Sequence, residues 1–346
     1  MLVDHHLGNT VLALPSINAT ASYFYAGADL LVDERFVGIA SRIEGLNSIH
    51  PYPAQRGGSG RNRDVMKRTV SQSIRLFRKR YRAVISLTGG VKSPVLSLLT
   101  ASPVRVGSAH YRRQWCYTHA VARPPNGDTV SHAAENYISL HRGISHEDVP
   151  SVFRIEPEPD ATARIEGKLR ELWPEISEQG ESPLAVLHPS AGVRWRCWPA
   201  ERFAEVAQSL TKNANARVLI VGTEDDRDIA DQIIAGVSEA SRVRFASWSL
   251  EELIALLAKA DVLVSNESGP THLASVIGTP IVTIFGPSNE HVWAPRPLDQ
   301  ARLTVLRGAE CDPACEKRSC AAEMRCLREL RAERVIHETM LHLDRA

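Results

Sequence analysis

The sequence predicts an α/β protein with two domains, each organised around a parallel sheet. The chain has 346 residues, which is more than one ordinary hydrophobic core accommodates. Short apolar runs of strand length alternate with helix-length amphipathic segments. Residues 150–159 contain three prolines, which marks a boundary between domains. We therefore expect domains at residues 1–158 and 159–325, followed by a C-terminal helix at 326–346 that packs across both.

Charge is balanced over the whole chain but not along it. The sequence holds 41 Lys and Arg against 40 Asp and Glu, yet residues 1–165 hold 20 basic and 13 acidic residues. A basic first half suggests an acidic partner there or simply a solvated face. Nucleic acid is disfavoured as that partner, because the aromatic content is 6% and no known nucleic-acid module occurs.

No secretory signal and no apolar run of membrane-spanning length is evident, so we expect a cytoplasmic protein. Peripheral contact with the inner face of the cytoplasmic membrane is a further expectation. Six cysteines in a chain of this length do not form a disulfide scaffold.

The N-terminal stretch Met1–Pro15 predicts a truncated strand, a turn at Gly8 and a helix that opens near Asn9 or Thr10. Because the chain starts almost on the strand, the start codon is expected a few residues upstream. Residues 26–35 then supply a strand, which continues the α/β alternation.

A basic helix is predicted at Arg61–Arg82, after a glycine-rich loop at residues 55–63. It contains nine Lys and Arg and a single acid, Asp64. Two interpretations stay open: a solvated face, or a surface for anionic lipid headgroups or acceptor phosphates. Its apolar residues at helical spacing are Val65, Met66, Thr69, Val70, Ile74, Phe77 and Tyr81, and the cations of the second interpretation are Arg75, Arg78, Lys79 and Arg82.

The second domain opens with a buried-type strand at Leu184–His188. The next strand, Arg217–Val221, leads to Glu224. In open α/β sheets ligands bind at the carboxyl ends of the strands, so Glu224 is placed to hold ribose hydroxyls. Trp198 and Phe203 are expected in the core.

The most informative stretch is Ala260–Pro287, which predicts one βαβ unit. Strands are expected at Asp261–Val264 and Ile281–Phe285, with a helix between them that begins near Thr271. The loop before this helix carries Glu267, Ser268 and Gly269. A helix N-terminus beside Ser and Gly amides suits an anion, most often a phosphate, and a plain strand–turn–helix connection is the alternative.

This stretch resembles the signature of glycosyltransferase family 9, the ADP-heptose:lipopolysaccharide heptosyltransferases. That signature is approximately D-S-G-x-x-H-x-A followed by P-x-V-x-x-F-G-P. The chain has E-S-G-P-T-H-L-A at residues 267–274 and P-I-V-T-I-F-G-P at 280–287. RWRCWPAERF at 194–203 is similar to the family's K-x-W-P-x-E-R-F, and Leu7-Gly8-Asn9 to its L-G-D.

The resemblance implies a GT-B fold, in which two Rossmann-like domains face a cleft, with the acceptor in the first and the nucleotide-sugar in the second. It implies an inverting, metal-ion-independent transfer of a heptose or related sugar from ADP-heptose to a lipopolysaccharide core acceptor. The donor would be bound by Arg196, Glu224, Glu267, Ser268, Gly269, Thr271 and His272.

Three positions depart from the family pattern: Asn9 replaces its proposed base Asp, Glu267 replaces Asp, and Arg196 replaces Lys. An amide cannot accept a proton at neutral pH, so Asp4, His5 or His6 becomes the candidate base, with Asn9 placing the acceptor hydroxyl or merely capping the helix. The alternatives are a related enzyme with another donor or acceptor, and a non-catalytic protein that still binds sugar nucleotides.

The family's R-x-G strand end and basic loop match residues 104–121, and its H-x-x-x-N helix matches residues 132–143. Phosphates of an acidic glycolipid acceptor would then meet Arg105, Arg112 and Arg113.

A cysteine cluster lies near the end of the chain, at Cys311, Cys315, Cys320 and Cys326. The family carries a similar run with a first gap one residue shorter. A structural zinc or iron, free thiols and disulfides all stay open, and no cofactor is expected for catalysis.

Overall fold

The computed structural model describes residues 1, 6–24, 27–52, 71, 73–87, 92–110, 112–123, 131–145, 147–174, 182–309, 320 and 324–345. The chain forms two compact units, Met1–Phe153 and Arg154–Ala346. The change of unit therefore falls slightly before the boundary that the prolines suggested. No helix in these ranges is both long and apolar enough to cross a membrane.

The first unit is an α/β arrangement whose described strands pair only in parallel. β1 pairs with β2, and β3, β4 and β5 form a second sheet in that order. Its elements are α1 (Leu7–Tyr23), β1 (Ala28–Asp33), α2 (Val37–Ala40), β2 (Leu46–Tyr52), α3 (73–78), β3 (Ala83–Ile85), α4 (Lys92–Leu99), β4 (Val104–Ser108), β5 (His119–Val121) and α5 (Ala133–Arg142).

The start of the chain differs from its prediction in one respect. Met1 does pair with β1 as a strand would: its N donates to the Asp29 carbonyl and its carbonyl accepts from Leu31 N, both at 2.8 Å. However, α1 begins at Leu7 with His6 as N-cap. The predicted turn at Gly8 and the cap by Asn9 are wrong, because the N–H and hydroxyl of Thr10 both donate to the His6 carbonyl and close the helix earlier.

Two buried hydrogen bonds join α1 to α5. The Ser16 hydroxyl donates to the Tyr137 carbonyl at 2.9 Å, and Thr20 Oγ1 lies 3.0 Å from His141 Nδ1. Burial lowers the pKa of His141, so the neutral ring makes this contact.

The second unit contains a parallel sheet of six strands in the order β11-β10-β9-β6-β7-β8. β6, β7, β9 and β10 are almost completely buried, as expected of strands covered on both faces. Its elements are α6 (Pro159–Leu172), β6 (Leu184–His188), α7 (Ala200–Ala214), β7 (Arg217–Val221), α8 (Arg227–Ala235), β8 (Val243–Ala246), α9 (Leu250–Lys259), β9 (Val262–Asn266), α10 (Gly269–Ile277), β10 (Ile281–Ile284), α11 (Glu290–Trp293), β11 (Leu303–Leu306), α12 (Arg325–Arg328) and α13 (Ala332–Leu343).

The core of the second unit confirms the predicted burial of two aromatic residues. Trp198 and Phe203 are buried and make an edge-to-face pair with ring centroids 5.2 Å apart. The indole N–H of Trp198 donates to the Leu330 carbonyl at 3.1 Å, which ties the end of the chain to this core.

The C-terminal segment forms two helices, α12 and α13, where one was predicted. The break at Leu330 coincides with a close approach to Gly308, where an added Cβ would lie 2.3 Å from Leu330 N. α13 packs mainly against α7, β9 and β10 of its own unit, and its His342 also contacts Thr304 of β11. Its packing across the domains stays a prediction.

Candidate functional site

The site is built at the carboxyl edge of the sheet in the second unit. β9 ends at Asn266, and α10 begins three residues later at Gly269. The first N–H groups of an α-helix have no partner within the helix, and the helix dipole adds partial positive charge there. The first turn of α10 contains Pro270 and no acidic residue. This geometry fits the predicted anion site, although the helix begins two residues earlier than expected.

Ser268 and Thr271 use their hydroxyl groups differently. Ser268 is the N-cap residue, but its side chain does not cap the helix. Its Oγ lies 3.2 Å from His188 Nδ1 and 3.0 Å from Ser265 Oγ. Thr271 is buried, and its hydroxyl donates inward to the Asn266 carbonyl at 3.0 Å. Thr271 therefore offers an anion its main-chain N–H rather than its hydroxyl.

Asn266 organises two loops around the helix start, and sequence reasoning gave it no role. Its Oδ1 accepts from Trp198 N at 3.0 Å, and its Nδ2 donates to the Pro189 carbonyl at 2.5 Å. The side chain is completely buried. An amide at the end of an otherwise apolar strand was the available signal, because a buried amide must find partners.

The structure places Arg196 and Glu267, both predicted to bind the donor, close to each other. Arg196 Nη1 lies 3.8 Å from Glu267 Oε1, and the guanidinium stands over the Trp195 ring at 5.1 Å from its centroid. The Arg196 side chain is 30% exposed and that of Glu267 is 9% exposed. The separation is at the upper limit of an ion pair, so the two groups share the edge without a direct hydrogen bond.

Three buried donors at this edge meet no acceptor among the described residues: Arg196 Nε, Ser288 Oγ and Arg307 Nε. They follow or adjoin the ends of β9, β10 and β11, which are neighbouring strands. Arg307 is held by hydrogen bonds from its Nη2 to the Ser288 carbonyl and the Glu290 carboxylate. Sequence reasoning missed Ser288 and Arg307.

The loop after β7 contains two acids with different contacts: Glu224 forms an ion pair with Arg227, and Asp226 accepts hydrogen bonds from two loops. Glu224 is 65% exposed, and its Oε2 accepts from Arg227 Nε and Nη2 at 3.0 and 2.9 Å. It lies at the predicted strand end, and a ribose hydroxyl would compete with Arg227 for it.

Asp226, which the sequence did not single out, links two loops of the carboxyl edge. It accepts from the Ser190 hydroxyl at 2.6 Å and from Thr223 N at 2.7 Å. Burial raises the pKa of Asp226, but these hydrogen bonds and the Thr223 hydroxyl outweigh it, and the pKa lies below its ordinary value. An added Cβ at Gly222 would lie 2.8 Å from Asp226 Oδ2, so glycine is what allows this approach.

His188 ends β6 beside the N-cap residue of α10. Burial lowers its pKa to about 4, against a smaller opposing effect of the Asp226 charge. His188 is therefore neutral at pH 7 and acts as a hydrogen-bond partner of Ser268 rather than as a cation. His272 is buried in the first turn of α10.

The predicted residues of the first unit are less completely placed. Asp4 and His5 lie outside the described residues. His6 is exposed as the N-cap of α1, and Asn9 lies in the first turn, which contains no acid.

Arg105 supports its own loop. Its Nε donates to the Cys116 carbonyl at 2.8 Å and its Nη1 to the Ser102 carbonyl at 2.5 Å. Arg112 is exposed and Arg113 is half-buried, both next to a 3-10 turn at Gln114–Cys116. Arg105 would have to give up these main-chain hydrogen bonds to meet a phosphate, whereas the exposed Arg112 fits the predicted phosphate contact.

Half of the cysteine cluster can be described. Cys311 and Cys315 lie outside the described residues, so a metal site there stays a prediction. Cys326 is buried in the core of the second unit, and the sulfur of Cys320 accepts from Met324 N at 3.4 Å.

A cavity of about 650 Å³ lies at the opposite, amino edge of the same sheet. Its wall includes Ala260 and Pro280, which precede β9 and β10, and the C-terminal residues of α9 and α10. Helix C-termini present carbonyl groups and partial negative charge there, so this cavity lacks the helix N-terminus found at the carboxyl edge, although its wall also contains Arg154, Lys259 and Arg302 beside Glu156 and Asp299.

Comparison with solved structures shows the class of fold. The chain aligns with the structure of E. coli ADP-heptose lps heptosyltransferase II at TM-score 0.73 and 19% identity, covering 99% of this chain and 98% of that one. A glycosyl transferase family 9 structure from Veillonella parvula aligns at TM-score 0.75 and 18% identity, covering 100% and 96%. The protein has the GT-B fold of these α/β structures.

The family follows from the sequence. A model of glycosyltransferase family 9 (heptosyltransferase) matches residues 70–324, and the chain belongs to this family. Lipopolysaccharide heptosyltransferase 3 of Escherichia coli K12 is 23% identical over 83% of this chain and 82% of its own length. Lipopolysaccharide heptosyltransferase 2 of Salmonella typhimurium is 26% identical over 80% of this chain and 78% of its own length.

Proposed function

We propose that this glycosyltransferase moves a heptose, or a closely related sugar, from ADP-heptose to a hydroxyl of a lipopolysaccharide core acceptor. Transfer proceeds with inversion and without a catalytic metal ion. The donor binds at the carboxyl edge of the second unit.

One observation carries this proposal: buried donors with no acceptor among the described residues lie along the carboxyl edge of the sheet, the edge at which α10 begins. Arg196 Nε, Ser288 Oγ and Arg307 Nε supply two cationic groups and a hydroxyl. A departing nucleoside diphosphate develops negative charge and needs such donors in fixed positions. Its binding would satisfy groups whose burial is otherwise costly.

The names of related proteins support the substrate class. The two relatives are heptosyltransferases of lipopolysaccharide. A solved structure of E. coli heptosyltransferase WaaC with ADP aligns at TM-score 0.72 and 19% identity. The choice of ADP-heptose for this chain rests on these names together with the retained signature at residues 267–274.

Each residue at the edge has a distinct role in this proposal. Ser268, Gly269 and the main-chain N–H of Thr271 bind the diphosphate with His272, and Arg196 neutralises its charge. Glu267 and Glu224 accept hydrogen bonds from hydroxyls of the sugar and the ribose. Because the cations are supplied by side chains, no metal ion is needed at the phosphates.

The reaction needs a base for the acceptor. The acceptor hydroxyl oxygen attacks the anomeric carbon from the face opposite the diphosphate. The new C–O bond forms as the bond to the diphosphate oxygen breaks, and the hydroxyl proton passes to a base. Asp4, His5 or His6 takes this role, and Asn9 orients the hydroxyl. Arg112 and Arg113 bind acceptor phosphates.

The test is ADP release by the purified protein with ADP-heptose, with and without a heptose-deficient truncated lipopolysaccharide. Acceptor-dependent release is expected, and it should persist with EDTA. Saturable ADP binding without release would overturn the heptose assignment and lead to a screen of other nucleotide-sugars. Failure with all donors would favour a non-catalytic protein that binds sugar nucleotides. The first turn of α1 contains no acid, which is a reason to test this alternative.

The identity of the base is tested by single substitutions. Asp4→Ala, His5→Ala and His6→Ala are compared with Asn9→Asp, which restores the family residue. Loss of the base should lower kcat about 10²–10⁴-fold while ADP affinity stays unchanged. If all three alanine variants keep wild-type kcat, the base lies elsewhere.

A further inference from the structure

The first unit contains a long stretch of sequence with a single charge sign. From Val65 to Gly127 the sequence contains twelve Lys and Arg and no Asp or Glu. A helix face that is only solvated usually mixes both signs, because like charges repel one another. A long stretch of one sign therefore points to an acidic partner.

Within this stretch, α3 is fixed to the unit on one side. Leu76 is buried in a cluster with Leu31, Tyr52, Val84 and Leu96. Just after the helix, the Tyr81 hydroxyl donates to Asp29 Oδ2 at 2.6 Å, and Lys79 Nζ lies 3.6 Å from the same oxygen. α3 cannot rotate about its axis without breaking these contacts. They therefore fix which side of the helix faces away from the unit.

That outer face combines large apolar side chains with cations. Ile74 is 48% exposed and Phe77 is 54% exposed, and both belong to the residues that the sequence places at helical spacing. Residues three and four apart adjoin on a helix, so Ile74 lies next to Phe77 and Arg78. Arg75 and Arg78 are exposed as well.

The neighbouring helix repeats this combination. α4 contributes Leu96 to the same buried cluster and contacts the 3-10 turn that holds Trp115. Leu99 is 50% exposed and Trp115 is 68% exposed, and Arg112 next to this turn is exposed too. Tryptophan is the residue type most favoured at the boundary between headgroups and acyl chains.

We infer that Ile74, Phe77, Arg75 and Arg78 form a docking surface for an anionic lipid bilayer. The arginines meet negatively charged headgroups, and the apolar side chains enter the boundary beneath them. A purely electrostatic partner such as nucleic acid would leave the aliphatic Ile74 and Leu99 without a role. The inference deepens the proposed function, because a lipopolysaccharide acceptor is itself anchored in a membrane.

Sedimentation with vesicles tests this surface without any need for turnover. The intact protein is mixed with vesicles of phosphatidylcholine alone or of phosphatidylcholine and phosphatidylglycerol in a 3:1 ratio. Binding to the anionic vesicles only, weakened by added salt, is expected. Equal binding to both compositions, or no binding, overturns the inference. Binding to an oligonucleotide in place of anionic vesicles does so as well.

Two double variants assign the binding to the surface. Arg75→Gln with Arg78→Gln should weaken partitioning roughly thirtyfold, since each cation contributes about fivefold near an anionic surface. Ile74→Ser with Phe77→Ser should weaken it about tenfold or more. Arg164→Gln with Arg170→Gln, on the exposed face of α6, removes the same charge elsewhere and should leave binding intact.

Turnover separates this inference from the proposed function. With a delipidated, water-soluble acceptor, the Ile74 and Phe77 variant should match the wild type, and with vesicle-embedded acceptor it should be slower. Vesicle binding by a protein that transfers no heptose would contradict the proposed function alone. Wild-type vesicle binding by both double variants would contradict the docking surface alone.

Discussion

The two units use polar residues differently. In the second unit the residues that shape the site are buried: Ser265, Asn266 and Thr271 have at most 1% exposure. In the first unit the residues expected to meet the acceptor, such as His6 and Arg112, are exposed. A buried polar group needs partners of fixed geometry, whereas an exposed one can be exchanged. Burial alone does not decide which site residues depart from the family pattern, because two of the three departures, Arg196 and Glu267, lie in the second unit and Asn9 in the first is half-buried.

The largest effect is expected from Arg196, and it tests whether charge at the second unit drives the reaction. Arg196→Ala should lower kcat/KM by about 10²–10³-fold, because the departing diphosphate loses a positioned cation. Arg196→Lys keeps the charge and should stay within about tenfold of the wild type. The measurement is steady-state ADP release. Equal activity of the alanine and lysine variants would show that the charge of Arg196 does not contribute to catalysis.

Asn266→Ala should show that the site depends on the two buried hydrogen bonds of the Asn266 side chain. The change leaves Trp198 N–H and the Pro189 carbonyl without their partner, at a cost of about 2–4 kcal/mol in the free energy of unfolding. ADP affinity should fall as well, because both loops border the site. Urea unfolding and calorimetric ADP titration measure the two effects.

Asn213→Ala is the matched control, since that exposed amide bonds only the Ser209 hydroxyl and should change stability by less than about 0.5 kcal/mol. An Asn266 variant as stable as this control would show that these two hydrogen bonds do not stabilise the protein.

Stability of the second unit should fall as the pH falls from about 6.5 towards 4. In this window the unfolded chain protonates His188 while the folded chain keeps it neutral, so protons favour unfolding. The effect should reach about 2 kcal/mol after allowance for partial solvent contact. Below this window the depressed pKa of Asp226 acts in the same direction.

His188→Asn keeps a polar group near Ser268 but cannot titrate, so it should reduce the pH dependence of the second unit to the part contributed by other groups such as His342, whose pKa burial also lowers. Hydrogen exchange followed by peptide would report each unit separately. In the same variant the first unit should keep its own dependence of stability on pH, because burial also lowers the pKa of His141. A variant whose second unit keeps the wild-type slope would show that other groups titrate there.

The smallest effect is expected from Arg105→Lys in the first unit. A lysine cannot donate to the Cys116 and Ser102 carbonyls together, so the free energy of unfolding should fall by about 1–2 kcal/mol. The KM for the acceptor should change little. A raised KM with unchanged stability would instead restore Arg105 to the acceptor site and weaken the contrast between the units.

Local patterns predicted much of the second unit. The βαβ interpretation of Ala260–Pro287 was correct in type and order, and the strand and helix limits moved by two residues or fewer. Pro270 fits the first turn of a helix, which is why α10 begins before Thr271. In the first unit the same approach misplaced the start of α1, because the deciding contact is between Thr10 and the His6 carbonyl.

The sequence by itself determined the α/β class, the family signature and the helix start after β9 at which we propose the anion site, because strand and helix periodicities and short loops are local properties. Only the tertiary structure decided which polar groups serve that site. Asn266, Asp226 and Arg307 act on residues far away in the chain, and Thr271 turns its hydroxyl inward. It also decided that Ile74 and Phe77 face outward, because Leu76 fills the space beneath α3. Periodicity shows that a helix has faces, and packing selects the face that is buried.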